Sequence, residues 1–249
     1  MKSFSSIVIT GASSGIGEAL ALDYAAPGVA LALTGRDAGR LETVAAACRA
    51  KGATVVAGTV DVVERETFAA WLTAFDDAHP VELLIANAGI SIDKDNSSLD
   101  DFSIVRKTFD VNVGGVLNTV EPLLPRLVAR KRGQIAVVAS LASFIGLPYS
   151  ASYNASKAAV RVWGESIRYV LKKSGIGVSV VCPGFVVSRM TANAPFPMPF
   201  LMTSARASAI IRRGLERNHA RIAFPLGTKA AVWLGQTLPG RWTARLMGA

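Results

Sequence analysis

The octapeptide Thr10–Gly17, TGASSGIG, constrains this chain more than any other stretch. It ends an apolar run, Phe4–Thr10, broken only by Ser5 and Ser6, and leads directly into a helix-like stretch, Gly15–Ala26. Glycines remove Cβ atoms, so such a turn can be tight and can approach a pyrophosphate. The first N–H groups and the dipole of the following helix then favour the anion. Gly11, Ser13, Ser14, Gly15, Ile16 and Gly17 are therefore candidate cofactor contacts. The spacing is G-x-x-x-G-x-G rather than G-x-G-x-x-G, and taken alone a plain glycine turn also fits it.

The rest of the chain alternates in the same way. Strand-like runs stand at Phe4–Thr10, Val29–Thr34, Thr54–Thr59, Leu83–Ala86, Gln134–Ser140, Gly177–Cys182 and Arg221–Phe224. Helix-like stretches lie between them, at Gly15–Ala26, Ala38–Lys51, Glu64–Ala78, Leu99–Arg132 (read as two helices) and Ser152–Ser174. This rhythm predicts βαβ units and a doubly wound α/β fold with a parallel sheet of about seven strands, helices on both faces. The strands read as continuous apolar runs, as strands covered on both faces do. With 51% hydrophobic residues and no repeats or low-complexity linkers, the 249 residues are expected to form a single domain. Residues 185–218 break the rhythm. They open on FVVSRMTANAPFPMPFLM, a proline-punctuated apolar segment after the sixth strand, where such sheets bind ligands. This region is expected to be a substrate lid.

A rival class shares the first turn. Gly11–Gly15 also fits G-x-S-x-G, the nucleophile elbow of a serine hydrolase, with Ser13 attacking and His79 or His219 as base. An elbow on the first strand leaves no upstream strand for an oxyanion loop, leaves Gly17 unexplained, and offers neither histidine an orienting acid. The histidines have no neighbours at ligand spacing, so no metal is expected. Cys48 and Cys182 sit in apolar runs and read as small core residues.

Tyr153 and Lys157 stand four apart in a helical stretch and so share a face. Tyr169 and Lys173 repeat the spacing, and Ser156 precedes Tyr169 by as much as Ser140 precedes Tyr153. Geometry separates the sets. Ser156 and Tyr169 would lie on one helix, roughly 20 Å apart at about 1.5 Å per residue, too far to share a substrate. Ser140 instead ends a strand, from which a loop can return the chain to Tyr153.

The glycine turn, Asn87-Ala88-Gly89 after the fourth strand, Asn112, Ser140, Tyr153-x-x-x-Lys157 and Pro183-Gly184 resemble the single-domain short-chain dehydrogenase/reductase family, in that family's order. Two positions depart from its pattern: Ala86 replaces a common Asn, and Ser188 a usual Thr. The resemblance implies hydride transfer between a nicotinamide cofactor and a carbonyl or alcohol. Tyr153 would shuttle the proton, its phenol pKa lowered by the nearby Lys157 cation. Ser140 would fix the carbonyl oxygen. Lys157 would hold the nicotinamide ribose, and Asn112 would support a water relaying protons to Lys157. It also implies cofactor contacts from Asn87, Ala88, Gly89, Pro183, Gly184, Val186 and Ser188, with Phe185 on the substrate side. Homodimers or homotetramers through the helices around Asn112–Arg132 and Ser152–Ser174 are implied too. A non-catalytic NADP(H)-binding sensor on the same fold is the alternative, and would be expected to lose one of the four central residues.

The end of the second strand reads Leu33-Thr34-Gly35-Arg36-Asp37. An acid ending this strand would bind the ribose 2′-OH of NAD; here the position falls on Gly35, and the guanidinium of Arg36 suits the 2′-phosphate of NADP(H). Arg40 can assist or simply be solvated. A two-residue shift of the turn would make Asp37 the acid. Asp61 and Val62 resemble the family's adenine contact, while Asp61 also fits a helix N-cap ahead of Glu64.

The lid offers Phe185, Met190, Phe196, Met198, Phe200, Leu201 and Met202, with Arg189 its only charge, and so favours an apolar or aliphatic carbonyl of ketone or acyl type. The net charge of +9 is uneven. From Thr203 onward eight basic residues face one acid, Glu216, for a net +7. The tail, residues 228–249, mixes Lys229, Arg241 and Arg245 with Trp233, Leu234, Leu238, Trp242, Leu246 and Met247, in short helices at best around Pro239-Gly240. That mixture suits an oligomer interface or core cover, or weak attachment to an anionic membrane surface. No nucleic-acid motif accompanies the charge. Without a signal peptide or a spanning run, the chain is expected in the cytoplasm, with the tail offering contact with the inner face of a membrane.

Overall fold

The computed structural model describes residues 2–91, 101–146, 150–192 and 197–237. Seven strands form one parallel sheet: β1 (Ser6–Ile9), β2 (Ala30–Thr34), β3 (Thr54–Gly58), β4 (Leu83–Ala86), β5 (Gly133–Val138), β6 (Ile176–Pro183) and β7 (Arg221–Phe224). Their order across the sheet is β3-β2-β1-β4-β5-β6-β7, so the chain reverses its direction of travel between β3 and β4. In-register pairs such as Val8↔Ala32 and Val8↔Leu84 set β1 at the centre. Every residue of β1, β2, β4, β5 and β6 is buried, which explains their unbroken apolar runs.

Helices cover both faces. On one face α1 (Gly15–Tyr24), α2 (Ala38–Ala50) and α8 (Ser204–Glu216) pack Leu20, Leu41, Val44, Ile211 and Leu215 onto Ile7, Ile9, Leu31 and Leu33. On the other, α3 (Arg65–Ala78), α5 (Gly115–Val120), α6 (Leu124–Arg130) and α7 (Ala151–Leu171) pack Phe68, Leu72, Val116, Leu127 and Val160 onto Val8, Leu84, Ile135 and Val180. Asp37 caps α2 by accepting from the Arg40 N–H at 3.0 Å, and Thr203 caps α8 through the Arg206 N–H at 3.3 Å. Asp76 at the end of α3 is fully buried and is reached by Arg126 and Arg130 of α6 at 3.1 and 2.8 Å, which ties the two helices together. On α7, a Cβ at Gly164 would stand 2.6 Å from Val137 and 2.9 Å from Val180; its absence lets the helix lie close on β5 and β6.

Of the two helices expected in 99–132, the first runs from α4 (Phe102–Phe109) through a π turn, Asp110–Gly114, into α5, and the second is α6. Within the 185–218 region, residues 204–216 form α8 and bury Ala207, Ile211 and Leu215. The helix expected at Thr228–Leu238 is present as the 12-residue α9 (Leu226–Thr237). Residues 238–249 lie outside the described residues, as do Phe196 and the Trp233 side chain, so the membrane reading of the tail rests there on sequence alone. Part of the positive charge from Thr203 onward is neutralised within the fold, since Arg212 pairs with Glu216 and Arg221 with Glu165. Among the described residues, no helix is long and apolar enough to cross a membrane, and no cluster of potential metal ligands occurs.

Candidate active site

All the parallel strands deliver their carboxyl ends to one edge of the sheet, and the sequence-selected residues gather there. The Thr10–Gly17 turn leaves β1 and Gly35-Arg36 leaves β2. Asp61-Val62 follows β3, Asn87-Ala88-Gly89 follows β4, Ser140 follows β5, and Pro183–Ser188 ends and follows β6.

The glycine turn is built to be thin. Gly11 and Gly15 have φ of +65° and +61°, where side-chained residues are strained. A Cβ at Gly17 would lie 2.3 Å from the Gly11 carbonyl oxygen and 2.7 Å from the Asn87 amide. No side chain caps α1 at Ser14, so its first turn presents backbone N–H groups and the positive end of the helix dipole. The turn is latched to the exit of β4. Thr10 Oγ1 accepts from the Asn87 and Ala88 N–H groups, both at 3.0 Å, while Asn87 Nδ2 donates to the Thr10 and Gly11 carbonyls at 2.8 and 3.2 Å. Ser188 reaches over from the lid, 3.1 Å from the point a Gly15 Cβ would occupy. These features fit a dinucleotide: a thin anion cradle at a helix start, at the switch point of the sheet.

At the end of β2, Gly35 packs on Ser13, where a Cβ would meet the serine side chain at 2.9 Å. Arg36 is exposed beside it. Asp37, the competing acid, spends its carboxylate on capping α2 and on an ion pair with Arg40. After β3, Asp61 accepts from the Val63 N–H at 3.2 Å while Glu64 takes the N-cap position of α3, and Val62 packs against Gly115.

Ser140 opens a 3-10 turn, Leu141–Phe144. Its hydroxyl accepts from the Ala142 N–H at 3.1 Å, approaches the Pro183 carbonyl at 3.4 Å, and hydrogen-bonds the Tyr153 phenol. Lys157, one turn along α7 from Tyr153, is buried; its Nζ donates to the Val138 carbonyl at 2.8 Å and lies 5.9 Å from the Tyr153 ring centre. The expected depression of the tyrosine is not what this arrangement produces. Burial pushes the Tyr153 phenol up, outweighing the opposing effect of the Ser140 hydrogen bond. Burial also pulls Lys157 down to about 8. Near neutral pH Tyr153 is therefore a phenol with a proton to give.

Asn112 is buried in the π turn. From the π turn its Oδ1 accepts from the Ile90 N–H at 2.8 Å, and its Nδ2 donates to the Ile90 carbonyl at 2.9 Å and to Ser156 Oγ at 3.0 Å. The side chain ties the β4 exit to α7. Its Oδ1 and Lys157 Nζ both stand 3.1 Å from the point a Gly89 Cβ would occupy. Sequence reasoning passed over Ser156 as part of the repeated spacing, and left Thr10 and the Val138 carbonyl without a role. A lone hydroxyl at the end of an apolar strand was the available signal for Thr10. Tyr169 is 79% exposed and far from this edge, as its helical position required.

The hydrolase reading does not survive the topology. His79 and His219 precede β4 and β7 at the amino edge of the sheet, while Ser13 follows β1 at the carboxyl edge. Even the four residues of β1 separate those edges by roughly 13 Å at about 3.3 Å per residue. Phe185 is half-buried just after β6, and Val186 bridges to Met202, closing the base of the segment between them.

A profile of the short chain dehydrogenase family matches residues 5–196. An uncharacterized oxidoreductase of Myxococcus xanthus is 37% identical over 95% of this chain and 94% of its own length. A short-chain dehydrogenase/reductase of Burkholderia phymatum, solved in complex with NAD, superposes with a TM-score of 0.84 at 27% identity, covering 94% of each chain. A short-chain dehydrogenase of Sphingobium yanoikuyae, in complex with NADPH, does so at 0.81 and 25%, covering 98% of this chain and 92% of its own. With the sheet order, the cradle and the matched profile in agreement, the chain belongs to the short-chain dehydrogenase/reductase family of NAD(P)-dependent oxidoreductases.

Proposed function

We propose that this protein is an NADP(H)-preferring reductase or dehydrogenase of apolar or aliphatic carbonyls, of ketone or acyl type. The observation that carries the reading is the Ser140–Tyr153 hydrogen bond with Lys157 buried beside it, at the edge where the glycine cradle opens. When bound, the nicotinamide supplies the hydride. Gly11, Ser13, Ser14, Gly15, Ile16 and Gly17 would hold the pyrophosphate. Asn87, Ala88, Gly89, Pro183, Gly184, Val186 and Ser188 would line the nicotinamide half, and Asp61 and Val62 the adenine. Ser140 hydrogen-bonds the carbonyl oxygen and fixes it against Tyr153. Tyr153 donates its proton to that oxygen as negative charge develops on it, or accepts one from an alcohol in reverse. Lys157 holds the nicotinamide ribose, and as a cation it steadies the phenolate left behind. Asn112 fixes Ile90 and α7, and would support a water relaying protons to Lys157.

The cofactor preference rests on three neighbours. Gly35 offers no acid, Asp37 is engaged with α2 and Arg40, and Arg36 is exposed where a 2′-phosphate would sit. Substrate class rests on the apolar mouth, where Phe185 and Met198 are half-buried and Phe200 and Leu201 are exposed. Self-association is supported by an exposed stripe on α7, Ala151, Ala155, Ala159, Val162 and Tyr169.

The test is NADPH oxidation against aliphatic, aromatic and acyl-thioester ketones, with NADH in parallel and Tyr153→Phe as control. Wild type should turn over with NADPH well above NADH. Tyr153→Phe should lose about 10²–10⁴-fold in kcat with NADPH affinity unchanged. Stoichiometric NADPH binding without turnover of any ketone would overturn the catalytic reading in favour of a sensor.

A further inference from the structure

The turn that carries Ser140 is gripped at its far end by residues that take no part in the chemistry above. Phe144 closes the Leu141–Phe144 turn. The guanidinium of Arg161 on α7 lies over its ring at 4.3 Å from the ring centre, and that of Arg221, the first residue of β7, at 5.1 Å. Two cations on one ring repel each other unless an anion joins them, and Glu165 does so. It accepts from Arg161 Nη1 at 3.2 Å through one oxygen and from Arg221 Nε at 2.9 Å through the other. The Arg161 side chain is 16% exposed and that of Glu165 27%, so the Arg161 contact lies largely out of water, where cation–π attraction is stronger than at a surface; Arg221, 45% exposed, closes the cluster from the solvent side.

The cluster shares its helix with the chemistry. Lys157, Arg161 and Glu165 follow one another at four-residue spacing on α7, with Tyr153 one turn before them. Ser140 is in turn part of the gripped segment. Its hydroxyl accepts from the Ala142 N–H at 3.1 Å, and its carbonyl accepts from Ser143 Oγ at 2.6 Å and the Ser143 N–H at 3.1 Å. Tilting Phe144 therefore tilts Ser140.

We propose that Phe144, Arg161, Glu165 and Arg221 form a clamp that locks the Ser140 turn to α7, making Phe144 and Arg161 positioning residues for the hydroxyl that holds the substrate oxygen. The inference rests on the roles given above to Ser140 and Tyr153. Releasing the clamp frees Ser140 to shift against Tyr153, which weakens transition-state contacts more than cofactor binding. The cofactor cradle hangs on β1 and β4 instead.

Three variants test it: Phe144→Leu keeps apolar bulk without an aromatic face, Arg161→Met keeps the stem without the guanidinium, and Phe144→Tyr keeps the face. With a ketone that wild type reduces, Phe144→Leu and Arg161→Met should each lower kcat about 10-fold, with the KM for NADPH within about twofold, and Phe144→Tyr should stay near wild type. In alcohol oxidation, the limb that requires the phenolate should move to higher pH in the two weakened variants, because the Ser140 hydrogen bond that favours the phenolate is loosened. Backbone amide exchange at Ala142 and Ser143 should quicken in those variants and not in Phe144→Tyr. An unchanged kcat in Phe144→Leu, or an equal loss in Phe144→Tyr, would overturn the clamp. Should wild type reduce no carbonyl, the proposed function fails while the exchange measurement still decides the clamp. Acceleration confined to Ser140–Phe144 supports it, and unchanged or uniformly faster exchange overturns it.

Discussion

Lys157 gives the native state a pH dependence whose sign can be worked out in advance. Its ammonium is buried, 3% exposed, and burial takes its pKa from 10.5 down to about 8. In the unfolded chain the proton stays on to pH 10.5. Between those values the unfolded state binds more protons than the native one, so native stability rises with pH through that window. Below about pH 8 both states are protonated and the native state carries the whole cost, about 3 kcal/mol for a gap of about 2.5 pH units. At pH 9.5 the native lysine is neutral while the unfolded one is still mostly charged, and about 1.4 kcal/mol of the cost remains. The lysine thus contributes a gain of about 2 kcal/mol between pH 7 and pH 9.5.

Lys157→Met keeps the length of the side chain and removes the titration. It also leaves the Val138 carbonyl without the Nζ donor, an offset of about 1–3 kcal/mol that does not vary with pH. The useful quantity is therefore the stability of wild type minus that of the variant, from urea unfolding of the cofactor-free chain followed by tryptophan fluorescence. That difference should rise by about 2 kcal/mol from pH 7 to pH 9.5. Other titrations largely cancel: Cys182 is pushed up to about 12 and Tyr153 above its usual 10, and both are present in each protein. A flat difference would refute the argument. A falling one would mean the native fold favours the cation.

Two further substitutions probe the frame around the site. Gly17→Ala places a methyl 2.3 Å from the Gly11 carbonyl oxygen, so the turn must open; NADPH should then no longer raise the melting temperature, although the chain still folds. Asp76→Ala strips Arg126, Arg130 and the Val81 N–H of their shared buried carboxylate and should cost about 3–5 kcal/mol in urea unfolding. Burial opposes the Asp76 charge, but hydrogen bonds from Arg130, Val81 and Arg126 outweigh it and hold the carboxyl below 3.8. Its contribution should therefore be intact above pH 4 and fade as pH falls through the depressed native value, so that wild type and variant converge in acid.

How much of this was legible in the sequence depended on whether the signal was local. The buried strands were visible as apolar runs because both faces are covered, and the element bounds came within a few residues. Helix α8 had its pattern in place, Ala207, Ile211 and Leu215 at four-residue spacing, but the proline-rich segment before it and the arginines between masked that period. The π turn at Asp110–Gly114 has no period to read. It arises where Asn112 must face Ile90 and Ser156 at once, which is a tertiary demand. The choice of Tyr153 over Tyr169 was legible because helix geometry alone forbids the second pair. The Tyr153 protonation state was not, because a lysine four residues away says nothing about how dry the pair is. Here burial outweighs the Ser140 hydrogen bond.

The same contrast explains where the site gets its rigidity. The candidate site residues sit on several strand exits and on α7, and the distances between those elements must be fixed from elsewhere. The exit of β4 fixes them. Thr10 grips Asn87 and Ala88 from the β1 side, and Asn87 returns the bond to Thr10 and Gly11. Asn112 grips Ile90 from the helical side and passes the constraint through Ser156 to α7, which carries Tyr153 and Lys157. β4 lies between β1 and β5, so its exit stands midway between the phosphate turn and the Ser140 turn. A shift there would move the cradle and the proton donor in step. A shift of the Ser140 turn alone would change only the donor's partner, which is why clamp variants should alter turnover while Gly17→Ala should alter binding.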